Sequence, residues 1–75
     1  MDKNIEWSLR VISGEFEFDK GSFDFAKNEL QNRIKELTPL FNECIEKDIS
    51  MQYEYTEISN EWNTIILTLA KNGNR

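Results

Sequence analysis

Asn4-Ile5-Glu6-Trp7-Ser8-Leu9-Arg10-Val11-Ile12-Ser13-Gly14-Glu15-Phe16-Glu17-Phe18-Asp19 is the stretch on which the fold turns. Ile5, Trp7, Leu9 and Val11 alternate with Glu6, Ser8 and Arg10, the period-two pattern of a strand with one buried face, which predicts a strand over about 4–12. Ser13-Gly14 can supply a two-residue turn, and the alternation resumes over 15–19. In that register Val11 faces Phe16, Leu9 faces Phe18 and Arg10 faces Glu17, so apolar side chains share one face and opposite charges meet on the other.

After Lys20-Gly21 the period changes. Phe23, Ala26, Leu30, Ile34, Leu37, Phe41 and Cys44/Ile45 recur at steps of three and four, which predicts an amphipathic helix over about 23–48 with Ser22 as N-cap. Glu29–Arg33 and Glu43–Lys47 are favourable i,i+4 pairs on its solvated side. Pro39 interrupts the stripe, so a bend or break is expected there.

Beyond the helix, Ile49, Met51, Tyr53 and Tyr55 alternate with Ser50, Gln52, Glu54 and Thr56, and an Ile/Leu/Thr-rich run follows from Trp62 to Ala70. A Ser59-Asn60-Glu61 loop would pair Tyr53 with Leu67 and Tyr55 with Ile65, giving strands over about 49–58 and 62–70 and a frayed tail over 71–75. The sequence therefore predicts one small α+β domain, ββαββ, with an antiparallel sheet of two hairpins and the long helix on one face.

Counting restricts function. The 75 residues carry 14 carboxylates, nine Lys/Arg, one Cys and no His, a net charge of −5. No intramolecular disulfide and no Cys/His zinc site can be assembled from that set, and the absence of His argues against most acid–base catalysis. The expectation is no enzyme, no cofactor and no metal. Cys44 falls on the apolar stripe and reads as a small buried hydrophobe. The N-terminus shows no apolar signal segment and no run reaches membrane-spanning length, so the chain reads as cytoplasmic.

The charge is concentrated. Residues 15–61 hold twelve acids and five bases, a field that repels phosphate backbones and attracts basic proteins. No Lys or Arg lies between Asp48 and Lys71, so Tyr53, Tyr55 and Trp62 are not read as a nucleic-acid stacking platform. The predicted partner surface is an acidic rim of Glu15, Glu17, Asp19, Glu54, Glu57 and Glu61 around an apolar centre of Ile58, Trp62 and Ile66, with Trp62 as anchor. It suits a protein that inhibits or neutralises another, such as a nucleic-acid-directed enzyme with a basic groove. Phage-type inhibitors, immunity proteins and antitoxins share this size and charge, a likeness of composition alone. The alternative is an architectural homodimer or assembly subunit whose acidity only confers solubility.

Overall fold

The computed structural model describes residues 2–15, 17–47 and 52–73. Three helices account for them: α1 Lys3–Ser13, α2 Lys20–Glu46 and α3 Gln52–Asn72. The expected ββαββ sheet is overturned, since both predicted hairpins fall largely on helices.

In α1 the side chains that bury are Ile5, Ser8, Val11 and Ile12. Two consecutive residues cannot both face inward on a strand with one covered side, but on a helix they flank one stripe. Trp7, an inward position in the strand reading, is 38% exposed. Both ends of α1 are capped. The Asp2 carboxylate accepts the Asn4 N–H at 2.7 Å. Gly14, at φ 81°, lies in the left-handed region, where glycine avoids the Cβ clash. Its N–H reaches the Val11 carbonyl at 3.2 Å while Glu15 N–H reaches that of Arg10 at 3.3 Å, the paired bonds of a Schellman cap. Gly14 thus ends a helix where the sequence suggested a hairpin turn. Of the second predicted strand, 17–19 is irregular chain and Phe16 lies outside the described residues.

The helix expected over 23–48 runs over Lys20–Glu46. Its N-cap is Asp19, whose side chain accepts Ser22 N–H at 2.7 Å, instead of Ser22 itself. Ala26, Leu30, Leu37 and Cys44 are its buried residues. The helix continues through Pro39, which is exposed, so the ring meets solvent instead of packed neighbours.

Residues 62–70, predicted as a strand, belong to α3, as do 52–58 of the other predicted strand; its residues 49–51 lie outside the described set. Ser59-Asn60-Glu61, read as a loop, is mid-helix. Ile58, Trp62, Ile65 and Leu69 follow the i, i+4, i+7, i+11 spacing of a helix face and all contribute to the core. The threonines that favoured a strand are accommodated by back-bonding, Thr64 to the Asn60 carbonyl and Thr68 to that of Thr64, each at 2.8 Å. Lys71 and Asn72, expected to fray, continue the helix, and residues 74–75 lie outside the described set.

The core joins Ile5, Val11 and Ile12 of α1, Ala26, Leu30 and Leu37 of α2 and Ile65 of α3. The shape is long, 43 × 20 × 17 Å, with a radius of gyration of 13.5 Å, where about 11 Å is usual for a compact chain of this length. At ~1.5 Å per residue α2 spans the long axis, about 40 Å, whereas α1 covers only about 16 Å of it. Trp7 meets Phe25, and Asp2, Asn4 and Ile5 share a cleft with Glu29, Asn32, Arg33 and Glu36. Helix α1 therefore runs antiparallel to the first part of α2, with its N-terminal end near Glu36, which leaves the far half of α2 against α3.

Candidate interaction surfaces

Arg33 organises the side of the molecule on which α1 lies. Its Nε donates to Glu61 Oε2 on α3 at 2.5 Å, Nη2 to Glu61 Oε1 at 3.1 Å, and Nη1 to Glu36 Oε2 at 3.0 Å. The Glu61 side chain is only 13% exposed. Hydrogen bonding to Glu61, reinforced by Glu36, raises the guanidinium above its ordinary value and keeps it charged. Glu61, expected in a solvent-facing rim, is thereby a clamp between α2 and α3. The expected Glu29–Arg33 pair gives way to this arrangement, whereas Glu43 does accept from Lys47 at 2.5 Å. That bond lowers the Glu43 carboxyl and raises the Lys47 ammonium.

Arg33 lines a cleft of about 230 Å³ with Asp2, Asn4, Ile5, Glu29, Asn32 and Glu36, and Glu61 lines a separate depression with Glu57, Asn60 and Thr64. Glu61 and Glu36 thus bond the guanidinium, Asp2 and Glu29 share its cleft, and Glu57 stands one turn before Glu61 on α3. Glu54, Glu57 and Glu61 follow i, i+3, i+7 on one face of α3. Glu57 also bonds the Tyr53 hydroxyl, and this contact raises the tyrosine's pKa.

The remaining predicted carboxylates do not join them in a strand stripe. Glu15 pairs with Arg10 at 3.1 Å, Asp19 caps α2, and Glu17 is exposed between the two helices. The cap bonds from Ser22 lower the Asp19 carboxyl.

Ile58, Trp62 and Ile66 do share a stripe on α3, but it leans toward α2 instead of forming an island ringed by acids. Ile58 and Trp62 are half-buried against the core. Phe41 stacks on Trp62 with centroids 6.1 Å apart and meets Tyr55 at 5.1 Å. Ile66 lines a groove of about 370 Å³ with Gln31, Ile34, Lys35 and Leu69.

Sequence reasoning missed a third feature. Trp7 packs edge-on against Phe18, centroids 5.8 Å apart, and against Phe25 at 6.2 Å. Phe18 and Phe25 remain 39% and 58% exposed. Phe25 was the available signal, since it lies off the apolar stripe of its own helix.

No protein-family model, curated protein or solved structure matches the chain. Among the described residues no helix is long and apolar enough to cross a membrane, and no group of three or more His, Cys, Asp and Glu is placed to hold a metal ion.

Proposed function

We propose that this chain is a non-enzymatic binding module that acts by occupying the basic surface of another protein. The observation that carries the reading is that Asp2, Glu29 and Glu36 share one cleft with Arg33, whose charge is already shared with Glu61 and Glu36, while Glu57 and Glu61 line a second depression on α3. Such a face holds negative potential on rigid helices, so little side-chain order is lost when a cationic surface arrives. The charges set encounter rate and orientation. A nucleic-acid-directed enzyme whose groove ordinarily holds phosphates is the target class that fits, and occupancy of that groove would inhibit it.

The test is affinity capture from the native cell with wild type and with a Glu29→Lys/Glu57→Lys variant shown by circular dichroism to keep its helices. Wild type is expected to retain a basic protein that heparin displaces and whose nucleic-acid binding the module blocks; the variant is expected to lose it. Recovery of the same proteins by both baits, or a partner indifferent to heparin, contradicts the proposal.

A further inference from the structure

The flank of the α2–α3 hairpin turned away from α1 carries a long apolar strip that the acidic face does not use. At ~100° per residue Ile34, Phe41 and Ile45 align along α2, and Tyr55, Trp62 and Ile66 align along α3. Ile45 is 58% and Tyr55 38% exposed. The groove between Ile34 and Ile66 lies within this strip. A contiguous apolar strip of this length marks an interface.

Charge identifies the occupant. On α2 the row Glu29, Glu36 and Glu43 lies roughly 160° around the helix from Ile34, Phe41 and Ile45. Over the strip's length the polar residues beside it on α2 are Gln31, Lys35, Thr38, Asn42 and Glu46, and on α3 Thr56, Ser59 and Asn63, with Glu46, at its end, the one carboxylate among them. Two copies of a chain of net charge −5 can therefore meet along this side with their acidic faces outward and farthest apart. A largely uncharged rim is self-complementary, as a two-fold contact requires.

The strip runs along about 17 Å of α2, residues 34–45, and of α3, residues 55–66, so a two-fold contact centred on it takes in the neighbouring turns of both helices to reach the roughly 800 Å² per partner of a standard interface. The chain exposes 5403 Å², above the about 4,800 Å² usual for a folded monomer of its mass. We propose that a second copy of this chain covers the strip, two α2–α3 hairpins packing about a two-fold axis as a four-helix bundle, with an acidic face and its α1 on each outer side.

Sedimentation equilibrium of the full chain tests this from micromolar to millimolar concentration. Wild type is expected to reach twice its 8.9 kDa mass. Ile34→Glu and Ile66→Glu are each expected to halve it with helical content retained, while Leu40→Glu, at a position 44% exposed beside the Glu36 and Glu43 row on the other side of α2, leaves the dimer intact. Should the glutamate variants unfold, spin labels decide: in a Cys44→Ser background a label at Gln31→Cys is expected to show dipolar coupling between copies stronger than one at Glu36→Cys. A monomer at every concentration overturns the inference, including the case in which an acidic helix from another protein fills the groove. So does a folded glutamate variant that remains dimeric, or stronger coupling at position 36 than at 31.

Discussion

Ser8 is fully buried and its hydroxyl has no hydrogen-bond partner. Ser8→Ala removes that unsatisfied group and improves helix propensity, so unfolding free energy should rise by about 1 kcal/mol; a loss in urea unfolding would contradict the burial described. Asp19 gives the pH dependence. Its carboxyl is lowered in the folded state by the Ser22 cap bonds, so its stabilisation is complete above the unfolded value of about 3.9 and is lost as pH falls through the lower folded value. Asp19→Asn still caps the helix but does not titrate, so the urea midpoint should fall less steeply below about pH 4 than in wild type. An unchanged acid limb would remove Asp19 from that role. At this scale local pairs were legible and distant ones were not: Glu43–Lys47 follows from i,i+4 spacing, whereas Arg33–Glu61 spans 28 positions. Only the packing of α3 on α2 brings that second pair together.

Helix α2 was readable because its apolar spacing persists over many turns, and only one period fits so long a record. Helix α1 was not, because Ile5, Leu9 and Ile12 satisfy a helical stripe while Ile5, Trp7, Leu9 and Val11 satisfy alternation over the same eight positions. Asp2 and Gly14, the two cap residues, were the evidence that could have decided between them. In α3 the β-branched content outweighed the spacing of Ile58, Trp62, Ile65 and Leu69, although threonine back-bonds make that content tolerable in a helix. Pro39 is the remaining weak point of the elements. It denies the Lys35 carbonyl its helical donor, so Pro39→Ala should stabilise the protein by about 1–3 kcal/mol, less whatever the freer unfolded chain returns. A lower denaturant midpoint for Pro39→Ala would mean that the interruption at Pro39 is needed for α2 to follow the core.

At the scale of the molecule the misreading of the elements moved the candidate site. The sequence placed Glu15, Glu17, Asp19, Glu54, Glu57 and Glu61 around Trp62, Ile58 and Ile66; the helices divide them, with Glu61 bonded to Arg33 on the α1 side, Glu15 and Asp19 at the α1–α2 turn, and Trp62 and Ile66 toward the opposite flank. Two kinds of association should therefore respond differently to salt. Capture of a basic partner should weaken steeply as ionic strength rises past the point where the Debye length falls below about 8 Å, while the apolar self-contact should persist. Parallel pull-down and sedimentation at low and high salt check this, and equal sensitivity of both would argue against separate faces.

Backbone assignment and nuclear Overhauser spectroscopy of the full chain give the most direct measurement of the helical architecture that creates those faces. Uninterrupted i,i+3 contacts across residues 3–13 and 52–72, with Phe41 ring protons close to Trp62, are the predicted result. Cross-strand Hα–Hα contacts between Tyr53 and Leu67, or between Leu9 and Phe18, would contradict it.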